Sequence, residues 1–274
     1  MRWIVTLFLL FPSLAMAQVN IEKLRSNGTE DGLSGHIGVT AAFTYGNIQF
    51  ADFGISAHQE YKTGAHSVFW IMNTRFAAKR TQADLIADPS VDLWDKDAHF
   101  SNLMLQHIRY NYALTESIWM EVFAQYEYNE FLLLDRRLIG GLGPRFAISR
   151  GDKGAAFFGT SAMIEEERLN AEGIAASEPV ERIDWRASCY LSATYAPGDD
   201  VSWTTTVYFQ PRLDAFLDYR LVAETGLAFK LTKRMAFTAD ARLRHDTDPP
   251  LTPDGSAPVL STDMSIKNGI KINW

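Results

Sequence analysis

The stretch that most constrains this chain is its last, Val259 to Trp274, because its side chains alternate to the end. Leu260, Thr262, Met264, Ile266, Asn268, Ile270, Ile272 and Trp274 fall on one face, and Ser261, Asp263, Ser265, Lys267, Gly269, Lys271 and Asn273 on the other. A period of two belongs to a β-strand. One face suits lipid and the other suits water. The other reading open to such a stretch is the edge strand of a soluble sheet that happens to end in tryptophan.

The same division recurs along the chain. Ile37, Val39, Ala41 and Phe43 oppose His36, Gly38, Thr40 and Ala42, and after Gly46-Asn47 the residues Ala51, Phe53, Ile55 and Ala57 oppose Asp52, Ser56, His58 and Glu60. Val68, Trp70, Met72 and Phe76 oppose Asn73 and Arg75; Ile108, Tyr110 and Tyr112 oppose His107, Arg109 and Asn111, although Leu103 and Leu105 spoil that polar face. Further on, Val122 and Ala124 oppose Glu121 and Gln125, Leu142 and Phe146 oppose Gly143 and Arg145, and Ala162 and Ile164 oppose Glu165 and Glu167. Trp185, Cys189 and Leu191 oppose Asp184, Arg186 and Ser188 in the cleanest of these runs. Val207 and Phe209 oppose Thr206 and Tyr208, Leu221 and Phe229 oppose Arg220 and Glu224, and Phe237 and Leu243 oppose Asp240 and Arg242. With the last, these make about twelve strands, an even number as in bacterial single-chain barrels.

Energy decides which face meets lipid. An Arg or Lys facing the bilayer midplane costs about 2–4 kcal/mol, so the face with Arg109, Arg145, Arg186, Arg220 and Arg242 turns inward. A soluble ligand carrier would be apolar within and polar without. The expected fold is therefore all-β, a single closed antiparallel transmembrane β-barrel, since an open sheet edge in hydrocarbon leaves backbone groups unpaired. The expected lumen lining is His36, His58, Glu60, Arg109, Glu121, Arg145, Glu165, Asp184, Arg186, Arg220, Glu224, Asp240, Arg242, Asp263 and Lys267.

The remaining segments fit export to an outer membrane. Met1-Arg2, an apolar run from Trp3 to Leu14 and the small-x-small Ala15-Met16-Ala17 read as a signal peptide over residues 1–17. Residues 18–32 form a polar leader and residues 33–274 the barrel. Short connections, Lys62 to Gly64, Ala113 to Glu116, Ser149 to Gly154, Ala196 to Asp200 and Thr232 to Arg234, fall on one side and read as periplasmic. Those opposite, among them Arg80 to Asp97, Glu130 to Asp135, Asn170 to Pro179 and His245 to Pro258, are mostly longer. Both termini then lie in the periplasm of a Gram-negative cell. Tyr110, Tyr112, Tyr126, Tyr128, Tyr195, Trp203, Tyr219 and Trp274, near strand ends, would form the interfacial girdles.

Several residues taken together resemble a known family. Val19 to Arg25 followed by Gly32-Leu33-Ser34-Gly35, the Tyr45-Gly46-Asn47 hairpin, Arg136 to Arg145 and Leu191 to Tyr195 are similar to the domain-of-unknown-function 481 family, the salt-induced outer-membrane proteins. The terminal Trp274, with apolar residues two and four places before it, resembles the C-terminal signal read by the barrel assembly machinery. These resemblances imply an outer-membrane barrel with lipopolysaccharide and lipids as partners, and no catalytic residues.

Function classes narrow accordingly. With 26 Lys and Arg against 33 Asp and Glu, the chain lacks the basic excess that nucleic acid requires. Its single cysteine, Cys189, cannot form an internal disulfide. Asp92, Asp95 and Asp97 lack calcium-loop spacing, and Gly140-Gly141-Leu142-Gly143 sits mid-strand, where glycines permit curvature rather than phosphate binding. No cofactor or metal is expected. The main expectation is a non-enzymatic barrel, structural or conducting small solutes. The alternative is a membrane-embedded lipid hydrolase using His36 and His58, which a three-residue loop Gly46-Asn47-Ile48 would place opposite each other.

Overall fold

The protein is described by a computed structural model covering residues 31–45, 48–88, 90, 93–94, 99–198, 200–232, 235–255 and 261–272. Twelve strands follow one another: β1 (Gly32–Thr44), β2 (Ile48–Thr63), β3 (His66–Thr81), β4 (His99–Ala113), β5 (Ile118–Asn129), β6 (Leu134–Gly151), β7 (Gly154–Leu169), β8 (Glu181–Tyr195), β9 (Val201–Pro211), β10 (Tyr219–Lys230), β11 (Met235–Asp246) and β12 (Thr262–Ile272). They form one sheet in sequence order, and each strand pairs antiparallel with the next. Meander topology follows from the short connections, which keep consecutive strands adjacent.

Burial obeys the alternation. In β8 the even residues Arg186, Ser188, Tyr190 and Ser192 are buried. Their odd neighbours are not, with Trp185 57% and Leu191 51% exposed. The outer face of the sheet is a broad apolar band, to which Ile37, Ile55, Ile108, Val122, Leu142, Ile164, Val207 and Phe229 also contribute. Tyr110, Tyr112, Tyr195 and Trp203 stand exposed at one end of it. Charges and polar groups occupy the concave inner face.

That inner face is not wholly polar. Phe69 and Ile71 of β3 and Leu103 and Leu105 of β4 are buried there. The two leucines that break the polar pattern of β4 therefore sit in register and pack inward. Tyr190, Tyr208 and Val222 make a second inner cluster.

Glycines let side chains cross this surface. A Cβ on Gly159 would stand 2.1 Å from the Tyr190 ring, which lies across the glycine. A Cβ on Gly143 would meet the Thr160 carbonyl oxygen at 2.0 Å. The glycine-rich run of β6 thus serves close approach to β7, besides the curvature expected of it.

Several boundaries differ from expectation. At the long-loop end β3 runs on to Thr81, and at the short-turn end β6 runs on to Gly151. β6 begins at Leu134 and β11 reaches Asp246, because paired partners on β5, β7 and β10 continue the ladders. Residues 82–87 form a short helix, α1 (Gln82–Ala87), inside the expected loop. Thr81 caps it, its hydroxyl accepting from the Asp84 amide while the Asp84 carboxylate accepts from the Thr81 amide. Those hydrogen bonds hold the Asp84 carboxyl below its ordinary pKa. Trp94, further along the same loop, stacks on the Phe76 ring at 6.0 Å on the outer face. Asp92, Asp95, Asp97, Gly46, Asn47, Trp274, the signal segment and most of the 18–32 leader lie outside the described residues. The last residue of the leader segment, Gly32, opens β1, and Asp31 just before it accepts the Gly64 amide, closing the β2–β3 turn.

Closure is the other difference. Among the described residues the ladders run from β1 to β12 and none joins β12 to β1. β1 is rich in glycine and alanine and exposed on both faces, so it offers little side-chain surface to hold a second neighbour.

Candidate functional site

Curling the sheet brings inner-face charges from distant strands together at the long-loop end. Arg137 on β6 donates to Glu127 on β5 at 3.2 Å and to Glu167 on β7 at 2.5 Å, and lies 3.7 Å from Glu165. From β10, Arg220 reaches Glu165 at 2.6 Å, Glu167 at 3.0 Å and Asp246 at 2.9 Å. β7 and β10 are not neighbours, so these bonds cross the concavity. Arg186, fully buried, donates to Asp218 at 3.0 Å and to the Gln210 carbonyl at 3.3 Å, with Asp184 and Glu165 each at 3.7 Å. Arg182 holds Asp184 at 2.8 Å, and Arg212 in the β9–β10 loop holds Asp218 at 2.9 Å. A hydrogen bond from Arg212 also keeps the exposed Asp214 carboxyl below its usual range.

A second group fills the middle. Arg109 donates to Glu121 at 2.9 Å, and the Tyr190 hydroxyl reaches the same carboxylate at 3.0 Å from β8. Nearer the short-turn end, the Arg145 guanidinium lies 3.6 Å from the Phe157 ring centroid and 5.2 Å from that of Trp119. Cation–π contacts of this kind keep a charge inside without a carboxylate.

The opposite wall, built by β11, β12, β1 and β2, is different. Thr40 and Ala42 are exposed and Ser56, Thr238 and Ser265 partly so. Arg242 pairs with Glu224 at 3.1 Å. Asp240 lies opposite Lys267, and Arg244 opposite Asp263, in the β11–β12 register. His36 lies opposite His58, and Ser34 opposite Glu60. His58 is buried against the Phe69 ring at 6.2 Å, and Glu60 holds Lys62 at 3.1 Å. Among the described residues, no group of three or more His, Cys, Asp or Glu side chains is arranged to hold a metal ion.

Residues 37–256 match the family described as protein of unknown function, DUF481. The chain belongs to the DUF481 family. No curated protein matches it. Among solved structures it is similar to the NanC porin, at 10% identity over 87% of this chain and 98% of that one, with a TM-score of 0.46. It is also similar to the CymD monoaromatic hydrocarbon channel, at 9% identity over 89% of this chain and 80% of that one, TM-score 0.41. A bacterial polysaccharide outer membrane secretin matches at 9% identity over 83% of each chain, TM-score 0.40.

The expected lining of this DUF481 chain omitted the hub of its network. Arg137 stands opposite both Glu127 and Glu167 in the β5–β6 and β6–β7 registers. Register was the missing signal, since an arginine flanked on both sides by carboxylates at inward parity is bound to pair. Asp246 falls in the expected connection from His245 to Pro258, so strand parity does not assign it to the inner face. Tyr190 carries no charge, and nothing in its own strand shows that it reaches Glu121.

Proposed function

We propose that this DUF481 chain is an outer-membrane β-barrel with a narrow, off-centre path for small hydrophilic solutes. The observation behind the membrane assignment is the segregation of faces: a broad apolar outer face backs an inner face on which Arg109, Arg137, Arg145, Arg186 and Arg220 are all buried. In water that exterior would be an apolar patch far above what a soluble monomer shows. Backbone satisfaction in lipid then requires β12 to pair with β1. The longer connections face outward toward lipopolysaccharide and both termini lie in the periplasm, with residues 1–17 removed on export. The terminal strand ending in Trp274 is what the barrel assembly machinery reads.

The path follows from side-chain size. Large groups, Phe69, Leu105, Arg145, Met163, Arg186, Tyr190, Tyr208 and Arg220, fill the wall from β3 to β10. The wall of β11, β12, β1 and β2 mixes small residues, Thr40, Ser56, Thr238 and Ser265, with the charged Asp240, Arg242, Arg244 and Asp263, and those small residues are not buried. About twelve strands enclose more than the filled eight-strand lumen and less than an open porin, so one packed wall leaves a slit along the other. The cross-lumen ion pairs favour a second reading, a purely structural barrel. A hydrolase acting on lipid would present its nucleophile to the lipid face or the rim, whereas His58 is buried on the inner face.

Planar-bilayer recording of the refolded protein separates these. A small, steady conductance that falls several-fold when Thr40 and Ser56 are both replaced by Trp supports the path. Silence at every voltage leaves the structural reading.

A further inference from the structure

We propose that the cavity at the long-loop end binds a small oxyanion, a carboxylate or phosphate group on a water-soluble solute, with Arg244 as its principal donor. The cavity has a volume of about 50 Å³, and Arg137, Arg182, Arg220 and Arg244 line it together with five carboxylates. Where about 10–15 Å³ holds one water, a space of that size takes a single carboxylate or phosphate group. The inference deepens the channel reading by naming a solute class. It rests on that reading only for the solute's passage, not for its binding.

The argument is a balance of donors and acceptors. Arg137 and Arg220 each spend their guanidinium nitrogens on two or more carboxylates. Arg182 holds Asp184 and Asp248 at 2.8 and 3.1 Å. Arg244 differs. It is only 8% exposed, and among the described residues its one ion pair is with Asp246 at 3.6 Å, beyond hydrogen-bond length for a strong contact. The Asp246 oxygen concerned already accepts from Arg220 at 2.9 Å. The Arg244 Nε is buried with no acceptor among the described residues. A buried charged donor left in that state is costly, and an oxyanion in the adjoining cavity supplies what it lacks.

The carboxylates around the same cavity are mostly committed. Glu167 accepts from Arg137 and Arg220, Asp246 from Arg220 and the Asp248 amide, Asp248 from Arg182, and Glu178 from the Leu251 amide. Asp263 is the exception. It faces Arg244 across the β11–β12 ladder, and no ion pair joins the two among the described residues. Its charge weighs against a doubly charged group, so acetate should bind more tightly than inorganic phosphate.

The test is calorimetric binding of acetate and inorganic phosphate to the folded full-length chain in neutral detergent, with bilayer current recorded separately. Wild type should bind, Arg244→Gln should lose about tenfold or more in affinity, as expected for one charged hydrogen bond, and Arg244→Lys should fall between. Arg168→Gln, in an exposed pair with Glu181 outside the cavity, should bind within about threefold of wild type. Absence of binding by wild type, or equal binding by Arg244→Gln, overturns the site. Should Arg244→Gln fail to fold, full affinity in the Lys variant overturns the guanidinium's role. Selective capture of lipid A vesicles by wild type, with neither small anion bound, overturns the soluble-solute assignment. Failure of conduction alone leaves the binding result standing.

Discussion

Arg186 shows what a single buried charge does in this lumen. It has no solvent contact and four carboxylate or carbonyl partners drawn from β7, β8, β9 and the β9–β10 loop. Replacing it with Met leaves Asp218 and Glu165 with fewer counter-charges in a low-dielectric interior, a loss of about 3–5 kcal/mol. Arg168 and Glu181, by contrast, form a 3.3 Å pair that is more than half exposed, and Arg168→Ala should cost no more than about 1 kcal/mol. Denaturant titration of both variants in micelles measures the difference, and equal effects would mean that the Arg186 network contributes nothing to stability. At this scale the sequence was legible for parity and illegible for reach. Alternation alone puts Arg186 and Arg220 on the inner face. That Arg220 finds Glu165 across two intervening strands depends on how far the sheet curls, which no local pattern encodes.

Among the elements, β8 is the one whose reading matters most, because its two faces differ along its whole length. Leu191 stands near the middle of the outer band and Ile183 near its long-loop rim. If that band faces hydrocarbon, Leu191→Arg should destabilise the barrel in phospholipid vesicles by about 2–4 kcal/mol and Ile183→Arg by about 0–1 kcal/mol. The depth dependence is the point of the comparison, since a soluble sheet would tolerate both arginines alike. Strand existence was legible wherever period two ran for several residues, as it does from Ile183 to Tyr195. Strand ends were not, and the reasons are particular. Leu134 and Asp246 extend their strands through ladder bonds to partners that already continue, so the deciding information lies in the neighbouring strand. The helix Gln82–Ala87 was hidden for another reason: it is too short to show a helical period, and its one local sign is Thr81 followed three places later by Asp84.

For the whole molecule the question that remains physical is the seam. Eleven ladders are formed along the sheet, and the outer edges of β1 and β12 carry backbone donors and acceptors that water can satisfy and hydrocarbon cannot. An unpaired amide or carbonyl in lipid costs several kcal/mol, so over the length of a strand the membrane supplies a far larger drive to close than any side chain on the glycine-rich β1. Both strands run between the same two ends of the sheet in opposite directions, so they can meet antiparallel like every other pair. Parity restricts how: outward Val39 can oppose only an outward residue of β12, near its centre Met264, Ile266 or Asn268. With Cys189 replaced by Ser, Val39→Cys should therefore form a disulfide on mild oxidation with a cysteine at one of those three positions. It should form none with a cysteine at Ser265, whose side chain points into the lumen. Cross-linking should appear in vesicles and be read as a gel shift of the unfolded chain. Failure at all three outward positions, in protein shown to be inserted, would mean that the sheet stays open in lipid, and the argument from backbone satisfaction would fall with it.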